Sequence, residues 1–89
     1  DGLLLSDDIG MAALGGTMLA RAQSVLAAGC DIALHCSGDF AEMATLADAV
    51  GTISDAGAAR LARALAWADA AAGGDVATLT AQRDQLLAA

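Results

Sequence analysis

Two short apolar runs without polar alternation stand near the start of the chain. Leu-Leu-Leu at residues 3–5 is followed at once by Ser-Asp-Asp at 6–8, and Ile-Ala-Leu-His-Cys occupies residues 32–36. Unalternating runs of this kind are typical of parallel strands that are covered on both faces. The pattern therefore predicts one strand over residues 2–6 and a second over residues 32–36.

Helical spacing marks the segment between these two runs. The apolar face of the predicted helix is formed by Leu14, Met18, Ala22, Val25 and Leu26. Gly10 supplies backbone freedom for the turn before this helix, and Gly29 stands where the glycine after a helix C-terminus belongs. The segment is therefore predicted to be a crossover helix that joins the two strands.

Three more helices are predicted after the second strand. Their N-caps are side chains that accept hydrogen bonds from a first helical turn: Asp39, Ser54 or Asp55, and Asp75. The first of these helices runs from Phe40 to about Val50 with Phe40 and Met43 on its apolar side, and Gly73-Gly74 separates the last two. The predicted order of elements is β-α-β-α-α-α.

This order predicts an α/β unit that is incomplete as an isolated chain. A strand, a helix and a second parallel strand form a right-handed crossover unit. A sheet of only two parallel strands leaves backbone groups unpaired at its edges and leucines uncovered on its faces. We therefore expect further strands, N-terminal to Asp1, to belong to the same sheet.

Composition indicates a thin core and narrows the range of partners. Hydrophobic residues make up 57% of the 89 positions, but 25 of them are alanines, which favour helix and bury little area. The net charge is −7, with four arginines and no lysine, so no basic patch exists for nucleic acid or an anionic membrane surface. No apolar run approaches the roughly 20 residues that span a bilayer. We expect neither a nucleic-acid nor a membrane partner.

Asp7 and Asp8 are the foremost candidates for chemistry. Carboxylates at the C-terminal end of a parallel strand lie where α/β proteins place their active sites. Successive strand residues face opposite sides, so we predict that Asp7 faces a pocket. We predict that Asp8 accepts backbone hydrogen bonds at the start of the next helix, whose dipole would favour an ionised, nucleophilic Asp7. The alternative is that both carboxylates merely cap a helix.

Other polar and aromatic side chains have structural interpretations beside functional ones. His35 is a hydrogen-bonded structural residue, a pocket-lining residue or a metal ligand. Met11 is a core residue that anchors a turn, or it contacts the pocket. Trp67 is expected to pack against neighbouring residues, and Arg60 and Arg63 to be solvated helix charges.

The two cysteines are predicted to be free thiols. Cys30 and Cys36 are six residues apart in an extended segment, which separates their Cα atoms by roughly 20 Å, beyond disulfide reach. Free thiols suit a reducing cytoplasm. We predict no metal site and no cofactor.

Two segments carry a resemblance to a known family. Asp-Gly-Leu-Leu-Leu-Ser-Asp-Asp-Ile-Gly-Met at residues 1–11 and Ala-Ala-Gly-Cys-Asp-Ile-Ala-Leu-His-Cys-Ser-Gly-Asp at 27–39 resemble the C-terminal part of bacterial β-N-acetylhexosaminidases of glycoside hydrolase family 3. The resemblance implies the last two βα units of a (β/α)₈ TIM barrel. Residues 1–52 would form the seventh and eighth strand–helix units, and residues 53–89 a C-terminal helical extension packing on the barrel.

The resemblance also implies that Asp7 is the catalytic nucleophile of a retaining glycosidase. Its carboxylate would attack the anomeric carbon of a terminal, non-reducing N-acetylglucosamine, and water would then hydrolyse the glycosyl-enzyme. The family belongs to bacterial, cytoplasmic peptidoglycan recycling and uses no cofactor. The expected partners are an N-acetylglucosaminide substrate and the missing N-terminal part of the barrel.

The chain departs from the family in ways that bear on its activity. The family's acid/base is a His–Asp dyad on an upstream loop, and His35, the sole histidine, does not match it. Gly10 stands where many members have Ser, and Ser37 where many have Asn, but neither change touches the nucleophile. The isolated segment is therefore expected to be inactive.

Two other classes compete with this interpretation. A phospho-acceptor receiver domain also places Asp residues at parallel strand ends, but it needs a lysine and the chain has none. A non-catalytic helical interaction module would account for the alanine-rich residues 54–89. It leaves the leucine run and its two carboxylates unexplained.

Overall fold

A computed structural model describes the whole chain, from Asp1 to Ala89. Its elements are β1 (Leu5–Asp8), α1 (Met18–Ala27), β2 (Ile32–Leu34), α2 (Phe40–Val50), α3 (Asp55–Asp69) and α4 (Val76–Ala88). The order of elements is the one that periodicity predicts. None of the helices combines the length and apolar character needed to cross a membrane.

The strands pair in parallel, with α1 as the crossover between them. Leu5 lies opposite Ile32 and Asp8 opposite Leu34, with an irregularity in the ladder between these two pairs. The first strand is thus shifted from the predicted residues 2–6, and the second ends two residues before Cys36. The apolar pattern marks where a strand is favoured, but backbone pairing between the two segments determines where each one ends.

Helix α1 begins at Met18, so the prediction that Leu14 lies on its apolar face is wrong. Gly16 adopts φ +85°, a left-handed conformation that interrupts the backbone before the helix. Thr17 then acts as the N-cap, and its Oγ1 accepts a hydrogen bond from the Ala20 N–H at 3.2 Å. Leu14 therefore belongs to the loop between β1 and α1.

The predicted helix boundaries that rest on local chemistry are confirmed. Gly29, at φ +111°, follows α1, and its N–H donates to the Leu26 carbonyl while the Cys30 N–H donates to that of Val25. This pair of bonds is the Schellman arrangement that ends many helices. The N-caps of the next three helices are Asp39, Ser54 and Asp75.

The core is small. Ile9, Ala22 and Leu46 are its buried hydrophobic residues, at the point where the loop after β1 meets α1 and α2. Phe40 is 79% exposed, so the prediction that it lies on the packed side of α2 is wrong. The radius of gyration is 18.1 Å, against about 12 Å for a compact domain of this length. The chain therefore leaves much of its apolar surface uncovered.

Helix α3 is tied to the N-terminal end of the sheet by a cluster of charges around Asp31. The carboxylate of Asp31, whose side chain is 7% exposed, accepts hydrogen bonds from the Leu4 N–H at 3.0 Å and from Arg60 Nη1 at 2.9 Å. Arg60 Nε also reaches Asp1 Oδ1 at 3.0 Å, and Arg63 contacts the same Asp1 carboxylate. The prediction of a solvated helix charge is therefore wrong for Arg60, whereas Arg63 is exposed as predicted.

A glycine allows α3 to approach Asp31 this closely. A Cβ atom on the buried Gly57 would lie 2.9 Å from Ile53 Cγ1 and 3.2 Å from Asp31 Oδ1. Gly57 stands one helical turn before Arg60, so both residues lie on the face of α3 that meets the sheet. Helix α4, by contrast, buries no residue.

The contribution of the Asp31 cluster to the stability of the folded state should depend on pH. The Leu4 N–H lowers the pKa of the Asp31 carboxyl below its ordinary value; burial opposes this, and the hydrogen bond and charge of Arg60 add to the lowering. An aspartate with a lowered pKa stabilises the folded state above its unfolded pKa of about 3.9. That contribution is lost as the pH falls through the lowered, folded-state pKa.

We expect Arg60→Met to raise the pKa of Asp31 part of the way towards its ordinary value, because the Leu4 N–H remains. The measurement is an NMR titration of the Asp31 carboxyl carbon. Arg83→Met is the matched control, since Arg83 lies on α4 and pairs with the neighbouring Asp84. An Asp31 midpoint that is identical in both variants would contradict the assigned role of Arg60.

Candidate active site at the end of β1

Asp7 lies near the C-terminal end of β1 with its side chain open to solvent. Exposure alternates along the strand, so Leu5 and Asp7 are exposed while Ser6 and Asp8 are half-buried. One carboxylate oxygen of Asp7, Oδ1, accepts a hydrogen bond from the Asp8 N–H at 2.8 Å. This bond orients the carboxylate, and its exposure leaves it accessible to a substrate on that face of the sheet.

Asp8 links the ends of the two strands through hydrogen bonds. Its Oδ1 accepts hydrogen bonds from the Gly10 N–H at 2.8 Å and from the Cys36 N–H, just beyond β2, at 3.3 Å. Because α1 begins only at Met18, Asp8 does not accept its hydrogen bonds from a helix start. The prediction of a helix dipole acting directly after Asp7 is wrong for the same reason.

Ser6 has a structural role that the sequence did not reveal. Its hydroxyl accepts a hydrogen bond from the Leu34 N–H at 2.9 Å and donates one to the Asp7 carbonyl at 2.7 Å. The side chain therefore stands within the irregular part of the ladder between β1 and β2. It fixes the backbone that carries Asp7.

We expect Ser6→Ala to loosen this end of the sheet, because it leaves the Leu34 N–H without its hydroxyl partner. The expected cost is about 1.4 kcal/mol, or about tenfold in the hydrogen-exchange protection of the Leu34 amide. Ser24→Ala, at an exposed position on α1, is the control and should leave that protection unchanged. Equal protection in the two variants would remove Ser6 from this role.

The loop that follows Asp8 is held by Arg21, which no sequence signal singled out. The guanidinium of this α1 residue donates to backbone carbonyls along the loop between β1 and α1: those of Ile9, Met11, Leu14 and Gly15. A single arginine on a helix ordinarily predicts a solvated charge. Its role becomes visible only when the loop is folded back over the helix.

Met11 contributes to this loop through its backbone. Its N–H donates to the Asp8 carbonyl at 3.2 Å, and its side chain is 37% exposed. The predicted turn-anchoring role therefore belongs to its main chain, because the side chain lies outside the core. Trp67 is 81% exposed, so the prediction that it packs against neighbours is wrong for this chain.

His35 is a hydrogen-bonded residue. Its side chain is 8% exposed, and Nε2 lies 3.0 Å from Glu42 Oε2 and 3.2 Å from Ser37 Oγ. The buried Nδ1 has no hydrogen-bond partner. The contacts join the end of β2 to the first turn of α2. No group of three or more His, Cys, Asp or Glu side chains is placed to hold a metal ion.

An apolar groove of about 680 Å³ lies apart from the Asp7 carboxylate. It is bordered by α1, β2, α2 and residues 51–54, and His35 and Cys30 are part of its lining. Asp7 and Met11 do not contribute to it. Both cysteines are free, as their spacing predicts. The structure therefore brings Ser6, Asp7 and Asp8 together at one strand end and places His35 in a separate cluster.

Comparison with known proteins bears on one part of the chain. No family model matches it, and no solved structure matches it. A stretch of 44 residues is 48% identical to a beta-hexosaminidase of Bordetella pertussis. The match covers 47% of this chain but only 12% of the length of that relative. The chain therefore contains a segment similar to part of a beta-hexosaminidase, which points to a glycoside hydrolase origin.

Proposed function

We propose that the chain is the nucleophile-bearing part of a retaining glycoside hydrolase. The enzyme would remove terminal non-reducing N-acetylglucosamine in the cytoplasmic peptidoglycan recycling of a bacterium. The observation that carries the proposal is the accessible Asp7 carboxylate, which follows a leucine run at the end of a parallel strand. The similarity to a beta-hexosaminidase segment supports it independently of the geometry.

Asp7 would act as the nucleophile. Its carboxylate attacks the anomeric carbon, the bond to the leaving oxygen breaks, and an acid elsewhere gives that oxygen its proton. Water then displaces Asp7 from the glycosyl-enzyme. Ser6 and Asp8 hold the strand end that carries Asp7 and do not react. His35 is enclosed by its contacts with Glu42 and Ser37. We propose that the acid is supplied by residues outside 1–89.

We also propose that β1 and β2 are the seventh and eighth strands of a (β/α)₈ barrel. Three leucines in or next to the two-stranded sheet support this, since Leu5 is 47% and Leu34 38% exposed within the strands, and Leu4, just before β1, is 53% exposed. Leucines at such positions are ordinarily covered in parallel sheets. Residues 1–52 would complete the barrel, and residues 53–89 would pack on its outside through the exposed apolar side chains of α4.

The test is an assay of the full-length protein that contains this sequence. We expect it to release 4-nitrophenol from the β-N-acetylglucosaminide and to show little activity on the β-glucoside, which lacks the acetamido group. Proton NMR should show that the first-formed sugar keeps its β configuration. Absence of hydrolysis, or a product of inverted configuration, would refute the proposed reaction.

A further inference from the structure

The segment that follows Asp7 and Asp8 is a loop with few internal hydrogen bonds. Residues 9–17 contain three glycines and form neither helix nor strand. Within the loop, the Leu14 N–H donates to the Met11 carbonyl at 3.1 Å. Glycine-rich backbone has many accessible conformations, so something outside the loop must select the one observed.

The guanidinium of Arg21 selects the observed conformation of the loop through hydrogen bonds. Its Nη1 donates to the Ile9 carbonyl at 3.0 Å and to that of Met11 at 3.2 Å, Nη2 to that of Leu14 at 2.6 Å, and Nε to that of Gly15 at 3.3 Å. Four of the five N–H groups of the guanidinium are therefore used on one loop. A lysine ammonium is a compact donor on a flexible stem and cannot reproduce this planar fork.

The contacts of Arg21 distinguish it from the other arginines. Arg60, Arg63 and Arg83 each pair with a carboxylate, whereas Arg21 has no carboxylate partner. Its guanidinium therefore serves to shape the backbone and does not balance a charge.

The base of the Arg21 side chain is firmly placed. The next residue of α1, Ala22, is 1% exposed and packs in the core with Ile9, which is also 1% exposed. Arg21 therefore extends from a fixed helix to a loop whose first residue is anchored in the same core. Its guanidinium sets the path of the remaining loop residues.

We propose that Arg21 is a positioning residue that fixes the loop over residues 9–15, and with it the wall of the sugar site beside Asp7. The proposal rests on the proposed role of Asp7 as nucleophile. Arg21 would act on the reaction through the loop, because its guanidinium contacts loop carbonyls. Met11, whose side chain is exposed on this loop and whose carbonyl Arg21 holds, is the residue it would present to the sugar.

The experiment compares Arg21→Ala, Arg21→Lys and Arg83→Ala in the full-length protein. Misplacing a site element by about 1 Å costs about 100-fold in rate, so both Arg21 variants should lose about that much in kcat/KM. Their Tm should stay close to that of the parent protein. Methylguanidinium added to Arg21→Ala should restore much of the lost rate, and it should not raise the rate of Arg83→Ala.

Either of two kinetic results would overturn the proposal. One is activity of Arg21→Ala equal to that of Arg83→Ala. The other is a loss that methylguanidinium does not restore, which would indicate general damage to the fold.

Hydrogen exchange separates this proposal from the proposed function. Arg21→Ala should speed exchange at the Met11 and Leu14 amides and leave the α2 amides unchanged. That result would support the positioning role of Arg21 even if the parent protein fails to hydrolyse the substrate. Unchanged exchange in the loop would refute the positioning role of Arg21 even if the protein is an active glycosidase.

Discussion

Replacing Asp7 with alanine in the full-length protein should abolish hydrolysis of 4-nitrophenyl β-N-acetylglucosaminide. Removal of a covalent nucleophile leaves no group to form the glycosyl-enzyme, so we expect kcat to fall by about 10⁴-fold or more. The fold should persist, because Asp7 is exposed and its side chain accepts only the N–H of the next residue. Steady-state kinetics and thermal unfolding of the same preparation measure both effects.

The matched control is Asp48→Ala, which removes an exposed carboxylate from α2. It should keep the activity of the parent protein. Azide offers a second check, since a small anion can attack the anomeric carbon in the space that Asp7→Ala leaves open. The product would be the α-configured glycosyl azide. Retention of most hydrolytic activity by Asp7→Ala would remove the assignment of the nucleophile.

The isolated chain of 89 residues should show no turnover and should unfold gradually. Its buried hydrophobic residues are only Ile9, Ala22 and Leu46, and its sheet has two strands with uncovered leucines. A core of this size provides little cooperative stability. Circular dichroism on heating measures how gradually the chain unfolds, and binding of a hydrophobic dye measures how much apolar surface it exposes.

A parent protein purified in the same way provides the comparison for that chain. It should unfold in a sharp transition and bind little dye, because its additional strands would cover the leucines. A sharp, two-state transition of the 89-residue chain would contradict the proposal that its sheet is part of a larger one. Measurable turnover by that chain would contradict the argument that its acid lies elsewhere.

The sequence predicted the order of elements and most helix ends because these depend on neighbouring residues. An N-cap such as Asp39 satisfies amides three residues away, and Gly29 ends α1 through its own backbone conformation. These effects act within one helical turn. They are therefore present in the local pattern before any tertiary contact forms.

Features that depend on distant contacts escaped prediction. Arg60 pairs with Asp31, which is 29 positions away, and the Ser6 hydroxyl bonds a backbone amide 28 positions away. Nothing in the local pattern distinguishes these residues from solvated ones. Phe40 shows the opposite error: its position in the helical pattern predicts burial, but no other element of this chain covers it.

In the candidate site too, the local features were predicted and the distant contacts were not. The alternation of a strand predicted that Asp7 and Asp8 face different ways, and their exposures differ accordingly. The partners of Asp8 could not be predicted in the same way, because the Cys36 amide reaches it from across the sheet. Asp7 remains the predicted nucleophile, and the assay of its alanine variant decides that role.

The Asp31 cluster and the Asp7 carboxylate occupy opposite ends of the same pair of strands. Leu4 and Asp31 precede the paired residues, whereas Asp8 and Cys36 follow them. In parallel α/β folds, the end where strands begin serves stability, and the end where they finish serves chemistry. Robustness and reactivity can therefore be engineered separately: replacements of Asp31 and Arg60 should shift heat tolerance while leaving turnover intact.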